Sequence, residues 1–183
     1  MLNKTDNERT PIAFGSDNAF LGNCVFALNI DDSDNELKIL ISGSYEGEKG
    51  SEVDETLDDN IIDILKEAVP VYQDENKLYE IIFPNYIIYQ VRNESYCSYD
   101  ESEIRKGRRL IIFEKSKLLG YFGSVTDCGL YPDEWKHYGV YTEDHIIDVI
   151  TCEEPIIKRV SNGVITDIRA NRPVRIRKAK RRL

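Results

Sequence analysis

Residues 77–99 read KLYEIIFPNYIIYQVRNESYCSY, the densest run of β-branched and aromatic residues in the chain. Such residues suit a pleated surface, so the stretch is expected to form two strands. The break falls at Phe83-Pro84-Asn85, because Pro84 has no N–H for a ladder. In the second strand Tyr86, Ile88 and Gln90 point one way, and Ile87, Tyr89 and Val91 the other. Both faces begin apolar, which predicts a strand in the middle of a sheet, covered on both sides. The run turns polar at Arg92-Asn93-Glu94-Ser95, which either ends the strand or lines a site.

Working outward, Cys24 begins a strand that ends at Ile30, the cluster Asp31-Asp32-Ser33-Asp34-Asn35 is a turn, and 37–42 is the return strand. Residues 43–55 are rich in Gly, Ser and Glu and read as an exposed loop. A helix follows, capped by Thr56 or Asp58 and stopped by Pro70. Its stripe of Leu57, Ile61, Ile62, Leu65 and Val69 predicts packing on the sheet.

C-terminal to the central run, 100–109 is a polar connection turning at Gly107, and 110–113 a short strand. Ser116 caps a helix over 117–122 that Gly123 can end. Residues 124–135 are irregular, with Trp135 anchoring them to the core. A hairpin is expected from 138–142 and 146–151, with a short helix from Thr142 as the competing reading. An edge strand over 156–160, a turn at Asn162-Gly163 and a pairing strand over 164–168 complete the pattern. The predicted fold is α+β: one domain over 1–168, mainly antiparallel sheet with one or two packing helices, and a basic disordered tail over 169–183.

The 183 residues suffice for a core without disulfide or metal support. No apolar run approaches the roughly 18–20 residues of a membrane span. The opening MLNKTDNERT has no apolar region of the kind a secretory signal needs. Cys24, Cys97, Cys128 and Cys152 are far apart, so reduced thiols and a cytoplasmic location are expected.

The net charge of −9 conceals a division. Residues 1–100 carry 21 acidic and 7 basic side chains, and residues 101–183 carry 12 and 17. The stretch 46–63 has eight acids and one base, Lys49, whereas 169–183 has eight bases and no acid. The acidic stretch reads as ordinary solvated surface or as a face for a basic protein partner, with Glu46, Glu48, Glu52, Asp54, Glu55, Asp58 and Asp59 as contacts. The tail reads as a solvated extension or as a nucleic-acid contact through Arg175, Arg177, Lys178, Lys180, Arg181 and Arg182.

The sequence holds no P-loop, dinucleotide fingerprint, zincin or serine-elbow motif. Cys128, His137, His145 and Cys152 offer two nitrogen and two sulfur donors, but their spacing is unlike the tight pairs of common zinc sites. No metal or cofactor is expected. His145, Glu94 and Arg92 would be the acid, base and charge of a metal-free nuclease or other small hydrolase, with no spacing that brings them together. Asp148, flanked by Ile147 and Val149, is expected to point outward.

Three stretches carry a resemblance: Tyr89-Gln90-Val91-Arg92-Asn93-Glu94-Ser95, then Lys136-His137-Tyr138-Gly139, then His145-Ile146-Ile147-Asp148-Val149-Ile150 with Glu154-Pro155. Over residues 77–160 the chain resembles a group of small bacterial proteins similar to the immunity proteins that guard cells against contact-delivered toxins. The resemblance implies a cytoplasmic binding protein rather than an enzyme, and brings no catalytic residue. Joined to the charge pattern, it predicts neutralisation of a toxin by occluding a basic cleft, with nucleic-acid association through the tail as the alternative.

Overall fold

Two left-handed residues make the first turn. Asp34 and Asn35 have φ of 56° and 60°, a two-residue turn whose twist matches paired strands and whose residue types tolerate it. Strand β1 (Phe26–Ser33) therefore runs through part of the expected turn before pairing with β2 (Glu36–Glu46). The computed structural model describes residues 12–98, 100–126, 134–161, 164–167 and 172–175, the last two spans as backbone only.

β3 (Val71–Pro84) pairs with β2 so that Leu37, Ile39 and Ile41 oppose Phe83, Ile81 and Tyr79. All six are buried. β3 starts earlier than the sequence reading placed it and ends at Pro84, as expected. After Asn85, held at φ 46°, the chain crosses to a second sheet. There lie β4 (Ile88–Asn93), β5 (Ile104–Lys106), β6 (Leu110–Lys115), β7 (Lys136–Tyr141) and β8 (His145–Thr151). The chain returns through Pro155 to β9 (Ile156–Ser161), β10 (Val164–Asp167) and β11 (Arg172–Arg175). The orders are β1-β2-β3-β9-β10-β11 and β4-β8-β7-β6-β5, with every pairing antiparallel.

One core joins the sheets. Leu37, Ile39, Ile41, Ile81 and Phe83 meet Leu110, Tyr138, Val140, Ile147 and Val149. Phe14 sets its edge against Phe83 and Tyr138, with ring centroids at 5.8 and 4.9 Å. Each such side chain contributes about 1.5–3 kcal/mol on burial. The chain is thus a single α+β domain, with two antiparallel sheets and two α-helices, α1 (Asp59–Glu67) and α2 (Lys117–Val125), among the described residues.

Four expectations are corrected. β4 is an edge strand, and Ile87 and Val91 are exposed. Side chains apolar on both faces told of a pleated surface but not of its neighbours. β9, expected at an edge, lies inside the first sheet between β3 and β10. The polar connection after β4 contains a strand, β5, too short and charged to be legible. Lastly, α1 does not pack on the sheet: none of its residues is buried, and Ile64 is 69% exposed.

The N-cap expectations match the structure, whereas α2 runs through Gly123, its expected end, to Val125. The Asn60 N–H donates to Asp58 Oδ1 at 3.0 Å, and the Leu119 N–H to Ser116 Oγ at 3.1 Å. The region after α2 falls partly outside the described residues, but Trp135 meets Phe122 edge to face at 4.7 Å.

Candidate functional site

The outer face of the second sheet carries the densest chemistry. Register places Gln90, Asp148 and Gly139 in one row, and Arg92, Ile146 and Tyr141 in the next. Asp148 points away from the inter-sheet core that takes Ile147 and Val149, as expected, but it is fully buried there, and four donors surround its carboxylate. His137 Nε2 lies 3.1 Å from Oδ1. Gln90 Nε2 donates to Oδ2 at 3.0 Å, and Arg92 donates through Nε at 2.9 Å and Nη2 at 2.8 Å. Burial pushes the Asp148 carboxyl up, but the His137 and Gln90 hydrogen bonds and the nearby Arg92 charge outweigh it and hold it below the usual range.

An ionised carboxylate only accepts, so His137 Nε2 carries a proton. In the neutral ring Nδ1 then accepts from the Ser116 hydroxyl, 2.7 Å away, whose oxygen takes the Leu119 N–H. Phe113 stacks on the imidazole at 4.0 Å, nearly parallel. Room for these rings comes from Gly139, where a Cβ would stand 2.8 Å from the Tyr141 ring and 3.3 Å from that of Phe113.

Serine, histidine and carboxylate stand in the order of a hydrolase relay, but the helix start that would face an oxyanion is already engaged. Glu103 Oε1 accepts the Lys117 N–H at 2.8 Å, and the Leu119 N–H is spent on Ser116. A resident carboxylate there repels developing negative charge. What the array does is clamp α2, β7, β8 and β4 together.

Acid separates this clamp from simple packing. Because its pKa is depressed on folding, Asp148 adds stability that is complete above the unfolded carboxylate value of about 3.9 and is lost as pH falls through the lower folded value. The urea-midpoint difference between the parent and Asp148→Asn should therefore be constant near neutrality and shrink below about pH 4. A difference unchanged across that range would show that the carboxylate charge does not matter.

Of the hydrolase set of the sequence reading, the register brings His145 opposite Asn93, next to Glu94, at the exposed end of the β4–β8 pair, while Arg92 turns to Asp148. The zinc donors are not gathered among the described residues. His137 spends both ring nitrogens on Ser116 and Asp148, Cys128 lies outside the described residues, and no cluster of three or more metal-ligand side chains occurs among those described.

The acidic candidates converge elsewhere, on an arm that β2 and β3 extend beyond the first sheet. Glu46, Glu48, Glu52, Asp54, Glu55, Asp58 and Asp59 are all exposed. Backbone bonds close the arm, from Gly47 N–H to Pro70 O at 2.8 Å and Gly50 N–H to Ala68 O at 2.9 Å, and Lys49 pairs with Glu67. Tyr72 donates to Glu52, and the Tyr72 ring lies 5.5 Å from that of Tyr45. Upon this arm α1 exposes Ile61 and Ile64, and the residues flanking it expose Leu57 and Val69. Sequence reasoning found the acids but missed this apolar centre, because an amphipathic stripe does not say what covers it. Of the basic candidates, Arg175 ends β11; Arg177, Lys178, Lys180, Arg181 and Arg182 lie outside the described residues.

No helix among the described residues is long and apolar enough to cross a membrane. Comparison with protein-family models, curated proteins and solved structures returned no match.

Proposed function

We propose that the chain is a binding protein that neutralises a basic partner, of the nuclease-toxin kind, by laying its acidic arm over the partner's nucleic-acid cleft. The observation that carries this reading is α1 with its flanks: the helix buries none of its residues, and Leu57, Ile61, Ile64 and Val69 stand in the open, rimmed by carboxylates. An apolar centre within a charged rim is the anatomy of a docking surface, in which the centre supplies affinity and the rim speeds encounter. The negative rim selects a positive partner, and the resemblance to immunity proteins supports a toxin acting in the cytoplasm.

Changing Glu52 and Glu55 to Gln and Asp54, Asp58 and Asp59 to Asn tests it. Asn caps a helix as well as Asp, so the melting temperature should hardly move. The association rate with the basic partner purified from the producing cells should fall by about tenfold or more, and its salt dependence should flatten. Parental rates with parental salt dependence would reduce the acids to solvated surface.

A further inference from the structure

The arm and the C-terminal end of β11 lie on the same side of the first sheet. Leu78 opposes Val160, and Ser161, the next residue, opposes Val164, which in turn opposes Arg175. Arg175 thus stands level with Lys77, three strands away, at about 14 Å. From that level β3 continues back to Val71 beside β2, with no second neighbouring strand among the described residues. Residues 75–77 bulge out where the register slips between Ser42 and Gly43, so the overhang rises only about 13 Å, the length of 43–46 on β2, and carries the acidic loop and α1 at its tip. β11 runs toward the overhang, and the eight residues after Arg175, IRKAKRRL, have a contour of up to roughly 26 Å when extended. They hold five cations and no anion.

We propose that residues 176–183 dock along the arm of their own chain, with Arg177, Lys178, Lys180, Arg181 and Arg182 against the carboxylates of the acidic loop. Tethering places this basic segment beside the acidic face at an effective concentration in the millimolar range for so short a connection. The attraction is strong at low salt and weak at high salt. The inference rests on the docking reading of the arm and adds a regulator to it: the tail is a resident competitor that a basic partner must displace. It also keeps the tail's cations away from nucleic acid until the arm is occupied.

The test is tryptic cleavage of the full chain, read by mass spectrometry at each basic residue of the tail. Parent and the five-fold neutralised variant are compared at low salt and at about 0.5 M, where screening acts within a few ångströms. The tail of the variant should be cut at least about tenfold faster at low salt, and the gap should close at high salt. Cutting at Lys158, inside β9, reports unfolding and should stay slow in both. Equal tail cleavage in parent and variant at low salt overturns the proposal. Protection that grows with protein concentration also overturns it, by placing the tail on a second copy. Since no partner is added, a protected tail on an arm that binds no partner keeps this inference and sinks the docking reading. An unprotected tail on an arm that does bind has the opposite meaning.

Discussion

Asp148→Ala is expected to destabilise the protein by about 3–5 kcal/mol, the cost of breaking a buried ion-paired network from one side. The His137 Nε2–H would lose its acceptor in a site where the residue is 2% exposed, and water cannot replace the carboxylate. Gln90 and Arg92 would lose the same partner, so β4 would keep its ladder to β8 but lose these side-chain bonds across it. Arg92→Ala should cost much less, because its side chain is 41% exposed and water reaches the vacated position. Chemical denaturation of both variants checks the ranking. Equal costs would mean that the carboxylate is an ordinary edge ion pair.

The second large effect concerns binding and leaves the fold alone. Ile61→Glu combined with Ile64→Glu should shift stability by no more than about 0.5 kcal/mol, since neither residue is buried and Glu favours a helix. Affinity for the basic partner should fall by about 2–4 kcal/mol, the range of residues at the centre of an interface. The added negative charge makes this a stringent test, because on charge alone it would favour a basic partner. Affinity retained or improved would show that the apolar side chains of α1 lie outside the contact. Calorimetric titration and a thermal melt of the same preparation supply both numbers.

Much of the fold was legible because its signals are local. Asp34-Asn35 announces a left-handed turn, Pro84 ends a ladder, and Asp58 and Ser116 announce helix starts. What escaped depends on partners distant in sequence. Gln90 and Asp148 are 58 positions apart, and only the β4–β8 register makes them neighbours. A carboxylate amid the apolar run His145-Ile146-Ile147-Asp148-Val149-Ile150 was the available signal, together with His137 on the strand that pairs with it. The same limit explains β4. Tyr89 reaches the core while Ile87 and Val91, on the same face, stay exposed at the sheet margin. Alternation reports the two faces of a strand but not its place in the sheet. For α1 the stripe of apolar residues was real, and the surface to cover it is not another part of the described fold.

Hydrogen exchange tests the central claim most directly, with the protein measured alone and in complex with the basic partner purified from the producing cells. The docking account predicts that slowing on binding concentrates in residues 46–71, in α1 and the loop before it, while β4 and β8 exchange as in the free protein. Slowing confined to the surface around Arg92 and Tyr141, with the arm unchanged, would contradict it.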